Sequence, residues 1–161
     1  MCIKKPQDWR LVVYALACAF CILVTDQYSK WMILNVIMQP PQSVPIIPFV
    51  SFDLVWNKGA TFGLFHNDHP ALPYLFAALA TAIMLWLLVW LWRASRRWAG
   101  FAIGRILGGA VGNIIDRFRF GAVVDFIHVS FYPWIFNVAD SAVVIGVGIL
   151  MLESMLPRRS G

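Results

Sequence analysis

Four aspartates in an otherwise apolar chain carry the chemistry this sequence offers. Asp26, Asp116, Asp125 and Asp140 each stand beside or inside long uncharged runs. A charged group at the centre of a membrane helix costs roughly 2.5–3.5 kcal/mol, and less near the interface, so four at one level need a reason. Three of them have local explanations. Asp26 precedes Lys30 by one helical turn, which suits an intrahelical ion pair. Asp116 adjoins Arg117 and closes a ridge of small residues, Gly100, Gly104, Gly108 and Gly112, that lets another helix approach closely. Asp140 follows Asn137 by three, the spacing of an N-cap and its capping-box acid. Asp125 has no such explanation: Val123-Val124-Asp125-Phe126-Ile127 contains no cation. Desolvation should push its pKa upward unless a partner lies near. Two close carboxylates share one proton, because both cannot ionise at contact distance. The ionised member can take a proton from water while the neutral one polarises a carbonyl. That is acid/base chemistry suited to an amide, with no metal or covalent nucleophile.

Other chemistries find little support. No G-x-S-x-G, H-E-x-x-H, G-x-x-x-x-G-K-[ST] or G-x-G-x-x-G occurs. His66-Asn67-Asp68-His69 sits in a turn ended by Pro70 and lacks the i, i+4 spacing of a helical metal pair, and His128 stands alone. Cys2, Cys18 and Cys21 cannot form a disulfide framework; Cys18 and Cys21 lie in an uncharged run and read as small membrane-helix residues. A metal site and a cofactor are therefore not expected.

The elements that position these acids follow from composition. Of 161 residues, 60% are hydrophobic and 13% charged, with mean hydropathy +0.72, whereas a soluble domain is about a quarter charged. The chain reads as a single membrane-embedded domain. Apolar stretches of about 20 residues span a bilayer, and four are found, over about 11–34, 71–92, 98–116 and 136–156. Lys4, Lys5, Arg10, Arg93, Arg96, Arg97, Arg158 and Arg159 fall on one side; Lys30, Lys58, Arg117 and Arg119 fall on the other. The positive-inside rule then places both termini in the cytoplasm and the acid cluster outside. The same distribution accounts for the net charge of +5 without a nucleic-acid partner. Span one is expected to be a permanent anchor, because cleavage after Ala15-Leu16-Ala17 would leave too short an apolar run for a leader.

The outer loop, about 38–70, is barred from helix in its first half by Pro40, Pro41, Pro45 and Pro48. Residues 50–56 partly alternate and predict a surface strand. Residues 128–135 read as an aromatic interfacial segment, and Asp125 as part of a loop. A second ridge on span three, Arg105, Gly109, Asn113 and Arg117, puts Asn113 and Arg117 on one polar face. A proton-relay protein would distribute its acids through the membrane's depth; here they gather at one end.

Five blocks occur in order: Asp26-Gln27-Tyr28-Ser29-Lys30; Asn57-Lys58-Gly59-Ala60-Thr61-Phe62-Gly63; Gly108-Gly109-Ala110-Val111-Gly112-Asn113-Ile114-Ile115-Asp116-Arg117; Val123-Val124-Asp125-Phe126; and Phe136-Asn137-Val138-Ala139-Asp140-Ser141. Over essentially its whole length the chain resembles the bacterial lipoprotein signal peptidases (signal peptidase II). Thr61 departs from the Ala more common there. The resemblance implies an all-α membrane protein, with four transmembrane helices and a small extracytoplasmic β-rich surface domain. It implies an aspartic endopeptidase of the bacterial inner membrane, with Asp125 and Asp140 as the catalytic pair. Such an enzyme removes the signal peptide from a prolipoprotein just before a diacylglyceryl-modified cysteine. Asn57, Gly63, Asn113, Arg117, Asn137 and Ala139 would line the substrate groove; Asp26, Lys30, Asp116, Gly108 and Gly112 would support it. The expected partners are diacylglyceryl-cysteine prolipoproteins and membrane lipids, and the expected state is a monomer.

Overall fold

The structure, a computed structural model, describes residues 9–59, 71–94 and 96–155. Gly63, Thr61, the His66/His69 pair, Asp68 and the terminal cations other than Arg10 lie outside the described residues. In chain order the elements are α1 (Trp9–Met32), β1 (Val44–Ile47), β2 (Val50–Asn57), α2 (Leu72–Arg93), α3 (Arg97–Phe120), β3 (Val123–Val129) and α4 (Val138–Met155). A π-helical turn, Ile33–Ile37, extends α1. All four helices are long and apolar enough to cross a membrane, and the chain is a multi-pass membrane protein.

α3 is the hub. It packs against α1, α2 and α4, and 56% of its apolar stretch is buried against 17% in each of the others. Small residues make this possible. A Cβ on Gly104 or Gly108 would collide with the backbone oxygens of Ala15 and Ala19 on α1, and a Cβ on Gly109 would come within 2.5 Å of the Ala139 oxygen on α4. The two ridges of α3 therefore face different partners: the Gly100–Gly104–Gly108–Gly112 row meets α1, and Gly109 meets the start of α4. α3 runs four residues past the expected end of its span and stops at Gly121, whose φ of 68° suits a left-handed C-cap.

Beyond the helices, β1, β2 and β3 form an antiparallel sheet in that order. The segment around Asp125 is thus a strand, where the sequence suggested a loop. The short β1 also escaped notice, because Pro45 reads as a strand breaker; an edge strand tolerates it. A register shift in β2 between Phe52 and Val55 inserts one extra residue, so that Val55 pairs with Asp125 and Asn57 with Val123. After β3 the chain turns back, and the Phe136 oxygen accepts from the amides of Phe126 (3.1 Å) and Ile127 (2.7 Å). That return lays residue 137 alongside Asp125. The sheet rests on a small core of Ile33, Met38 and Phe126.

Candidate active site

Two tiers of polar side chains occupy the sheet end of the bundle. The deeper tier is an ionic knot. Lys30, 3% exposed, sits 2.8 Å from Asp26 and 2.7 Å from Asp116, and donates to Asn113 Oδ1 at 3.0 Å. The three donors of its ammonium thus have three acceptors. The expected Asp26–Lys30 pair is present, but Asp116 pairs with Lys30 across the bundle and makes no ion pair with its neighbour Arg117 among the described residues. Gln27 completes the knot: its Nε2 reaches Asp116 Oδ1 at 3.0 Å and the Gly112 oxygen at 3.2 Å. Sequence reasoning missed Gln27, whose only signal was its place beside Asp26.

Each acid of the knot also grips a backbone amide. Asp26 Oδ1 accepts from the Ala139 N–H at 2.9 Å, and Asp116 Oδ2 from the Val124 N–H at 3.2 Å. These are the residues immediately before Asp140 and Asp125. Gly112 is part of the same arrangement, because a Cβ there would strike the Asp26 carboxylate.

The upper tier holds Asp125 and Asp140. Asn137 lies between them and is wholly buried. Its Nδ2 donates to Asp125 Oδ1 at 2.7 Å and its Oδ1 accepts from the Asp140 N–H at 2.8 Å. The Asn137 N–H returns to Asp140 Oδ2 at 3.3 Å, closing the capping box expected at the start of α4. Asn57, diagonal to Asp125 on the same face of the sheet, donates to its Oδ2 at 2.9 Å. Asn113 donates to Asp140 Oδ1 at 2.8 Å. Asp125 is 1% exposed. Burial pushes its carboxyl up to about 7, the Asp140 charge adds to that rise, and the hydrogen bonds from Asn57 and Asn137 oppose it.

A cavity of about 850 Å³ opens between α2, α3 and α4, and Asp140 is in its wall. Most of the lining is apolar, from Phe76, Leu79, Ile83 and Val144 among others, and Asn113, Arg117 and Ser141 supply polar contacts. Arg117 donates to the Asn113 oxygen at 3.1 Å, lies over the Phe76 ring at 5.8 Å, and keeps a buried Nε without a partner. Among the described residues, Asp125, Asn57, Asn137 and Ala139 are not part of this lining; Asp125 is linked to it through Asn137 and Asp140. An apolar cavity with a few convergent polar groups is the usual form of a ligand site.

Comparison with known proteins identifies the scaffold. The family described as Signal peptidase (SPase) II matches residues 18–156. The chain belongs to the signal peptidase II family. Relatives in this family include the lipoprotein signal peptidase of Methylorubrum extorquens, 42% identical over 139 residues that cover 84% of this chain and 81% of that protein. The lipoprotein signal peptidase of Caulobacter vibrioides is 39% identical, covering 93% of this chain and 89% of that one. A bacterial membrane enzyme solved by the in meso method at 2.3 Å shares the fold, with a TM-score of 0.79 and 27% identity over 93% of this chain and 94% of that one. The five sequence blocks that suggested signal peptidase II thus fall in a chain of that family. The two tiers draw on all five, through Asp26, Asn57, Asn113, Asp125 and Asp140.

Proposed function

We propose that the chain is an aspartic endopeptidase that cuts the signal peptide from diacylglyceryl-modified prolipoproteins, one catalytic unit embedded in the bacterial inner membrane. The observation that carries this reading is Asn137, which ties Asp125 and Asp140 to one another beside a large apolar cavity. Family membership and the names of the relatives support the substrate class.

In this mechanism the two carboxyls hold one proton and a water between them. The ionised carboxylate takes a proton from the water as its oxygen attacks the peptide carbonyl, and the neutral carboxyl gives its proton to the carbonyl oxygen. The gem-diol then collapses: one hydroxyl returns a proton to the pair, the pair protonates the departing amine, and the C–N bond breaks. The pair ends with the single proton it started with.

Asn57 and Asn137 hold the Asp125 carboxylate in position, and Asn113 does so for Asp140. Arg117 and Asn113, which line the cavity, present donors to the substrate's carbonyl groups. Ala139 serves through its backbone, and Gly63 belongs to the loop expected over the groove. Asp26, Lys30 and Asp116 fix the amides before each catalytic acid, while Gly108 and Gly112 allow α1 close enough for them to do so. The orientation follows the cation asymmetry, with both termini cytoplasmic and the acids at the outer face. Signal peptide and acyl chains enter the cavity laterally from the bilayer.

A gel-shift assay tests the reading. A precursor carrying the diacylglyceryl group should give a shorter product with purified protein, the unmodified precursor should not, and a cyclic peptide that mimics the substrate should inhibit. Equal cleavage of both precursors would remove the lipid-modified substrate from the proposal.

A further inference from the structure

We propose that the end of the bundle remote from the carboxylates carries a second site, for the phosphodiester head of an anionic membrane lipid, built on Arg105 and the aromatic seam between α1 and α3. Arg105 lies within a membrane-spanning helix, yet among the described residues it has no acidic partner, and its buried Nε has no acceptor. At the same end of the bundle Arg96 finds Glu153 at 3.6 Å, and at the other end Lys30 has its three acceptors. Arginines at membrane depth normally pair or face a polar interior, so the outer nitrogens of this unpaired guanidinium call for an anionic partner. A guanidinium matches phosphate oxygens through two parallel N–H donors.

The side chain is aimed at the right level. It runs back along α3 so that its Cζ stands over the Phe101 ring, 5.5 Å from the centroid. Phe101 is four residues from the start of α3, about 6 Å along the axis, close to where lipid heads meet the hydrocarbon. Tyr14 of α1 stacks on Phe101 at 6.4 Å, and Trp98 meets it edge-on at 6.4 Å. Tyr14 is 49% and Trp98 68% exposed, so both face the bilayer, and the Tyr14 hydroxyl offers a second donor beside the head. The seam is fixed because Gly104 lets α1 lie directly on α3. Basic sites between membrane helices bind anionic heads in this way. On the orientation proposed above the lipid belongs to the cytoplasmic leaflet. The site uses no residue of the carboxylate cluster and stands whether or not the peptidase reading does.

Thermal unfolding of the purified full chain in neutral detergent tests it, with equal concentrations of phosphatidylglycerol, phosphatidylcholine or inorganic phosphate. Phosphatidylglycerol should raise the midpoint about 2–4 °C more than phosphatidylcholine. R105L should abolish that difference, R105K should keep part of it, and R119L, at the opposite end, should keep all of it. R105L should also retain wild-type precursor turnover. The proposal fails if R105L keeps the full increment, if both lipids act alike, or if phosphate alone reproduces the effect, which would mean a free-anion site.

Discussion

Asp125 is a carboxyl held near neutrality by burial and by the charge of Asp140, while two asparagine amides pull the other way. The direction of that opposition yields a measurable consequence. In the proposed mechanism one member of the pair must keep its proton to give it to the carbonyl oxygen, so cleavage should decline as pH rises through about 7. Replacing Asn57 by Ala removes a donor that favours the charged form, so the alkaline limb of the pH–rate profile should move to higher pH. A profile that moves downward, or not at all, would show that Asn57 does not act on this carboxyl. Stability has the matching sign. The folded value lies above the ordinary 3.8, so the folded protein binds the proton more tightly than the unfolded chain, and Asp125 costs progressively more stability as pH rises from about 4 to 7. Asp125 was legible in the sequence because it lacked any local partner. The true partner of Asp116 was not, because Lys30 lies 86 positions away and nothing local points to it.

The elements explain why Asn137 reaches both acids. Two carboxylates of the knot hold the amides before Asp125 and Asp140, so β3 and the start of α4 are pinned to α1 and α3 through Lys30. Removing that ammonium leaves two buried carboxylates facing each other. Lys30→Met should destabilise the protein by about 3–5 kcal/mol, read as a lower unfolding midpoint in detergent. Gly109→Val should act differently: its side chain would push against the Ala139 backbone and displace α4, lowering kcat with the midpoint less affected than in Lys30→Met. Equal effects of the two substitutions on kcat and midpoint would contradict this division. At this scale the sequence was most readable where periodicity is long. The four spans and the two ridges of α3 appear in the spacing of apolar and small residues. β3 was hidden because its first four residues are buried on both faces, so it lacks the alternation that marks a half-exposed strand, and the Ile127–Phe136 pairing that brings Asn137 to Asp125 leaves no local signature.

For the molecule as a whole, α3 is enclosed by three helices whose outer faces are apolar, and a cavity of about 850 Å³ lies between α2, α3, α4 and the segment at the end of β3. That arrangement suits the lipid-modified substrate proposed above. Ala80→Trp, which adds bulk to the cavity wall from α2, should raise KM for a diacylglyceryl precursor about tenfold, equivalent to about 1.4 kcal/mol, with kcat largely kept. An unchanged KM would place the substrate elsewhere. The reading as a whole stands or falls with the two aspartates, and the most direct measurement is turnover of a diacylglyceryl-modified precursor by purified D125N and D140N, with thermal unfolding as the check on folding. Each substitution should cut kcat by about 10²–10⁴-fold while the protein still unfolds cooperatively. If either variant remains folded and cleaves the precursor at the wild-type rate, Asp125 and Asp140 are not the pair that activates water.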